Sequence, residues 1–278
     1  MLAERKTFDL FTYNGEDDLL MIRLELLSAY VDYFVIVEAD KTFTGIVKKQ
    51  KFNCVKFEKW MHKIRYAFIT DLSTNPVSAW GNESLQRNAL IRLINDAGSS
   101  DLILLSDIDE IPNPSALRKF DPARYIYGTF EQKMFYYKLS LQLLEPDEDP
   151  VVWDKARIIS VGNFKKHFEN LESLRRARPS GIFRSIKRKL LKLRQQRLEN
   201  GGWHFSYLMT VQDILEKLRS FSHTEVNVDG FNSQDVIQKA IEAGVSFIDR
   251  RLRLRKIQIE TEFPAHIVQM PEFRKWQS

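Results

Sequence analysis

Asp107, Asp109 and Glu110 lie in the run LILLSDIDEIPN (residues 102–113), where an apolar stretch leads straight into three acids within four positions. Unpartnered carboxylates at the tip of a buried strand cost several kcal/mol, so such a tip needs a cation, a donor network or water. In extended geometry Asp107 and Asp109 point to one side and Ile108 to the other. Two carboxylates converging there can hold a hard divalent ion such as Mg²⁺ or Mn²⁺, leaving coordination positions for phosphate oxygens and water. An acid pair in the same place can instead cap a helix or receive an arginine. The D-x-D spacing alone leaves these roles open.

Other residues offer chemistry of their own. His204 stands in GGWHFS between two aromatic neighbours and behind two glycines that allow close backbone approach. By type alone it reads as a satisfied core or stacking residue as readily as a ligand. In NESLQRNAL, helical spacing puts Glu83 and Arg87 on one face with Asn88 beside them. Arg87 can grip a diphosphate through its planar fork, or simply pair with Glu83. Glu38, closing the run YFVIVEA, can anchor a nucleotide or pair with a nearby base.

The elements that must position these groups alternate. TFDLFTY (7–13) reads as a strand, GEDD opens a helix through Leu19, Ile22, Leu26 and Leu27, and YFVIVEA (33–39) reads as a strand covered on both faces. RYAFITDL (65–72), a helix over about 82–97 and the DLILLS strand repeat the pattern. Alternation of this kind predicts an α/β sheet, whose ligands bind at the carboxyl ends of the strands. Past Pro114, the aromatic YIYGTFEQKMFYYKLSLQLL and ARIISVG predict antiparallel or mixed strands, and helices are expected near 210–221 and 233–243. We read residues 1–278 as a single domain with a C-terminal helical elaboration, its two halves being residues 1–120 and 121–278.

Charge is unevenly distributed. The net charge is +5, yet residues 175–197 hold 10 Lys or Arg and no acid, leaving 32 basic against 37 acidic residues elsewhere. Within that segment Ile182, Ile186, Leu190 and Leu193 recur at helical intervals, as in helices that lie on anionic membrane surfaces. A solvated helix packed on the body is the plainer reading, and no nucleic-acid module accompanies it, so no nucleic-acid partner is expected. The absence of a long apolar run and the single cysteine, Cys54, lead us to expect a cytoplasmic protein, peripheral at most on the inner face of the membrane.

YNGEDDLLMIRLELLSAYVDYFVIVEADKTFTG, ESLQRNAL, LILLSDIDEIPNPSAL and GWHFSYLM together resemble glycosyltransferase family 17 over about residues 8–250. The resemblance implies a GT-A-like fold with a mixed central sheet flanked by helices. It also implies a nucleotide-sugar donor, typified by UDP-GlcNAc, a divalent cation (Mn²⁺ or Mg²⁺) and inversion at the anomeric carbon. On it, Asp109, Asp107 and His204 become expected metal ligands, and Glu38, Arg87, Asn88 and Asp107 expected donor contacts. Inversion needs a carboxylate base, for which Glu225 and Glu131 are the candidates on the acceptor side. A cytoplasmic enzyme with a basic amphipathic helix points to a glycan or lipid-linked saccharide acceptor. The alternative is a non-catalytic carbohydrate- or membrane-surface-binding module. A haloacid-dehalogenase reading fails because Ile111 stands where D-x-D-x-T needs threonine.

Overall fold

Apolar runs build the parallel half of the sheet. In the computed structural model, which describes residues 5–179, 184–220 and 233–277, β1 (Thr7–Thr12) lies between β2 (Tyr33–Ala39) and β4 (Leu102–Leu105), parallel to both. β3 (Ile64–Ile69) extends the row beyond β2, also parallel. Every β2 residue from Phe34 onward is buried, as expected of a strand covered on both faces. The crossovers are α1 (Asp17–Leu27) and α2 (Ala79–Ala89). α2 starts earlier and ends sooner than the apolar spacing predicted: the Leu90 N–H bonds both the Arg87 and Asn88 carbonyls, and the chain tightens into a 3₁₀ turn over Leu90–Ile94.

After the D-x-D turn come β5 (Glu110–Pro112) and the one-turn α3 (Pro114–Leu117), capped by the Asn113 side chain. The predicted aromatic segment forms β6 (Tyr127–Tyr136) and β7 (Leu141–Leu144). β8 (Val152–Trp153) and β9 (Arg157–Ser160) follow, and β9 joins the halves by pairing antiparallel with both β4 and β6. α4 (Val161–His167), α5 (Leu171–Arg175) and α6 (Arg184–Leu193) precede the long β10 (Gln195–Ser206). α7 (Val211–Ser220) and α8 (Gln234–Glu242) occupy the predicted positions, and β11 (Arg253–Lys256) closes the sheet on β7. The result is α/β with a mixed eleven-stranded central sheet flanked by helices.

β10 is the main surprise. Amphipathic spacing carries a helix on towards Arg197, but α6 ends at Leu193 and the chain enters a strand at Gln195, parallel to β6. Pairing along β6 outweighs local helix preference here. Alternate strand residues feed two apolar layers: Phe11, Phe34, Ile36, Leu102 and Leu104 on the α1 side, and Phe8, Leu10, Val35, Val37, Ile103 and Leu105 on the side of α4 and α5. Among the described residues, no helix is long and apolar enough to cross a membrane.

Candidate active site

The two most distinctive motifs prove to be opposite sides of one ladder. β5 pairs antiparallel with β10, setting Pro112 opposite Gly202, Ile111 opposite Trp203 and Glu110 opposite His204. The Phe205 N–H donates to the Asp109 carbonyl at 2.8 Å, so the D-x-D turn is stitched directly to the G-W-H strand. Both glycines are needed for this approach. A Cβ at Gly202, whose φ is +122°, would stand 2.2 Å from the Ile111 carbonyl oxygen, and one at Gly201 would stand 2.5 Å from the Glu131 nitrogen.

Arg23 of α1, with no exposed surface, secures the turn from behind. It grips Asp9 of β1 in a bidentate pair (2.8 and 2.6 Å) and donates to the Ser106 hydroxyl at 2.7 Å. It also donates to the carbonyls of Asp107 at 2.9 Å and Glu110 at 3.1 Å, while its guanidinium stacks on Phe11. Asp107 and Asp109 therefore sit on a tight turn, closed by the Glu110 N–H on the Asp107 carbonyl at 3.0 Å, and Glu110 opens β5.

Two arginines answer part of the question the acids raise. Arg175 Nη2 donates to Asp107 Oδ2 at 2.6 Å and Glu110 Oε1 at 2.7 Å, and its Nη1 donates to Glu110 Oε2 at 2.8 Å. Arg87 donates to Asp107 Oδ1 at 3.1 Å and Glu83 Oε1 at 2.7 Å, and pairs with Glu172. Burial would push the Glu110 carboxyl up, but Arg175 overrides it and holds the group down at about 2. Asp107, expected as a metal ligand, has both its oxygens engaged by guanidinium groups. Arg87 lines the cleft as expected, but its donors are shared among three carboxylates rather than offered to a donor molecule.

Asp109 is different. Its Oδ2 lies 3.8 Å from His204 Nε2 and 3.7 Å from Lys217 Nζ, with no arginine upon it among the described residues. Burial favours the neutral acid, yet the charges of His204 and Lys217 outweigh it and hold Asp109 below the usual carboxylate range. The Trp153 ring covers His204 at 4.6 Å, the His204 Nε2 lies 3.2 Å from the Ser206 hydroxyl, and the buried His204 Nδ1 has no hydrogen-bond partner among the described residues. Among the described residues no three His, Cys, Asp or Glu side chains converge as a ligand set. Asp109 lines the cleft and His204 is buried beside it, and carboxylate and imidazole are donor types that suit a hard ion arriving with phosphate oxygens, because such ions are commonly held by one or two protein groups plus substrate. Asp109 and His204 fit that role, and Asp107 does not.

The cleft itself measures about 460 Å³ and opens at the carboxyl ends of β1, β2 and β4. Glu16, Lys48, Lys51, Asp109, Glu216 and Lys217 are among its lining residues. Burial raises the Glu16 carboxyl above its ordinary range despite the nearby Lys217.

Several expected contacts fall elsewhere. Glu38 is fully buried and accepts from the backbone N–H groups of Lys51 (2.7 Å) and Phe52 (3.0 Å) and from the Tyr66 hydroxyl (2.9 Å); it shapes the loop beside the cleft and does not line it. Asn88 bonds Ser84 and accepts the Glu172 N–H at 3.1 Å, clasping α5 to α2. Glu131 pairs with Arg197 outside the cleft, which removes it as a candidate base, and Glu225 lies outside the described residues.

Residues 1–122 match the family described as glycosyltransferase family 17. The match covers less than half of the chain, so it shows a likeness of this stretch to that family. The match stops just before β6, short of the 8–250 span that the motifs suggested, so GWHFS lies beyond it. No curated protein matches the sequence. Among solved structures, a 4-diphosphocytidyl-2C-methyl-D-erythritol synthase aligns at 14% identity and a TM-score of 0.41, over 76% of this chain and 96% of that one. The glycosyltransferase GlyE of Streptococcus pneumoniae TIGR4 aligns at 12% identity and 0.34, over 71% of this chain and 46% of that one.

Proposed function

We propose that the protein is a glycosyltransferase that moves a sugar with inversion from a nucleoside-diphosphate donor, GlcNAc from UDP-GlcNAc being the first candidate, to a saccharide carried on a lipid or a surface-polysaccharide precursor at a membrane. The observation that carries the reading is Asp109, which lies beside the buried His204 and lines a cleft whose walls also include Lys48, Lys51 and Lys217. A Mn²⁺ or Mg²⁺ ion held by Asp109 and His204 would supply Lewis-acid neutralisation of the leaving diphosphate. The lysines add positive charge to the same wall. Arg87 and Arg175 fix Asp107 and Glu110, and through them the turn that presents Asp109.

Beside Glu225, Glu16 is a second candidate for the base, because it lines the cleft. Its raised pKa suits a group that accepts the acceptor hydroxyl's proton as the new glycosidic bond forms and the bond to the diphosphate breaks. Incubating the protein with UDP-sugars and Mn²⁺ is expected to release UDP, faster when a saccharide acceptor is present. Glu16→Gln is expected to bind UDP normally while losing transfer by about a hundred-fold, within the range for positioned acid-base groups. Tight UDP-sugar binding without any release in the wild type would favour the binding-module alternative instead, and full transfer by Glu16→Gln would remove Glu16 as the base.

A further inference from the structure

The basic segment forms the expected helix, but its apolar stripe does not pack on the body. In α6, Ile186, Leu190 and Leu193 are 57%, 58% and 80% exposed. The helix is anchored instead through Leu191, which is buried in the cluster that includes Tyr127, Phe164, Phe168 and Leu174. Residues 186, 190 and 193 stand at the i, i+4, i+7 spacing of a single face, turned well away from Leu191. Lys187 and Lys189, both exposed, flank the stripe on its two sides, and Arg188 and Lys192 are exposed further round the helix. Ile182 lies outside the described residues.

A helix packed for solubility would turn Ile186, Leu190 and Leu193 inward. Here the inward position is held by one leucine, and three large apolar side chains face water between lysines. Long basic side chains can bury their stems along apolar surface while keeping the charge at the headgroup level. We propose that α6 seats the enzyme on an anionic lipid surface, with Ile186, Leu190 and Leu193 entering the headgroup boundary and the flanking lysines meeting lipid phosphates. Charge complementarity selects this occupant. Outside residues 175–197 the chain carries 32 basic against 37 acidic residues, so an anionic surface repels the remainder and draws this edge in first.

In the chain α6 follows α5, whose Arg175 clasps Asp107 and Glu110, and leads into β10, which carries His204. A surface held at α6 would keep the enzyme where a lipid-borne acceptor lies. That purpose rests on the acceptor class proposed above, whereas the contact itself does not.

Co-sedimentation with phosphatidylcholine vesicles, alone or with added phosphatidylglycerol, tests the contact. The protein is expected to pellet with the anionic vesicles and stay in solution with the neutral ones. Ile186→Ser/Leu190→Ser/Leu193→Ser is expected to lower binding by about ten-fold or more without moving the melting temperature, since all three side chains are exposed. Lys187→Gln/Lys189→Gln is expected to weaken binding and flatten its salt dependence. Equal binding to both vesicle types, undiminished binding by the serine variant, or a concentration-dependent dimer that the serine variant abolishes would each overturn the proposal. UDP release from a UDP-sugar in solution, unchanged in the serine variant, separates failure of the seat from failure of the transferase reading.

Discussion

Arg23→Ala is expected to destabilise the fold by about 3–5 kcal/mol, the cost of leaving one partner of a buried ion pair uncompensated. Asp9 has no exposed surface and its two oxygens rely on this one guanidinium. The same side chain also serves the Ser106 hydroxyl and the carbonyls of Asp107 and Glu110, so its removal strands acceptors on two separate segments. Against a total stability of about 5–15 kcal/mol for an ordinary domain, that loss threatens folding at growth temperature. Arg23→Lys is expected to recover little, because a single ammonium cannot reproduce a bidentate grip on Asp9 together with contacts to the turn. Urea unfolding midpoints, or the soluble fraction on expression, provide the measurement. A midpoint shift worth less than about 1 kcal/mol would show that Asp9 and the turn are held by something other than Arg23.

How far this arrangement could be read from the chain varies by residue. The parallel strands were plain, because YFVIVEA and LILL are unbroken apolar runs between turn signals, and burial on both faces is what such runs encode. The convergence of the D-x-D turn with His204 was available only through resemblance, since nothing local says that residue 204 will pair with residue 110. Arg175 was hidden by composition. It opens a run of ten cations, and only its burial beside Glu110 separates it from its solvated neighbours. Arg23 was visible as one charge inside an apolar helix, which is a usable signal: a buried arginine in such a place must find a carboxylate, and Asp9 is the acid set within an apolar strand. Glu38 misled because a carboxylate at a strand's end looks like a ligand group, whereas backbone N–H groups of the neighbouring loop had the stronger claim on it. Glu16 was read only as part of a helix's acidic opening, a role that spacing cannot distinguish from lining a cleft.

The two aspartates of the D-x-D turn are expected to separate cleanly under isosteric substitution. Asp109→Asn should lower transfer by about a hundred-fold or more, on the order of 3 kcal/mol of transition-state stabilisation. It should also abolish any strengthening of UDP binding by Mn²⁺, while leaving the melting temperature within a few degrees of the parent. Asp109 has His204 and Lys217 near 3.8 and 3.7 Å, and among the described residues no hydrogen bond binds its carboxylate to an arginine. Its charge is thus available to a ligand in a way that Asp107's is not. Asp107→Asn removes the shared partner of Arg87 and Arg175 and leaves two buried guanidinium groups leaning on Glu83, Glu110 and Glu172 alone. Its expected signature is the reverse: a lower unfolding midpoint and a modest activity loss, with the Mn²⁺ effect on UDP binding retained. Calorimetric titration of UDP with and without Mn²⁺, run beside thermal unfolding for both variants, distinguishes the two. Were Asp107→Asn the variant that loses the Mn²⁺ effect, both arginines would have to release Asp107 when the donor binds, and the clasp drawn here would be the resting form of a site that opens.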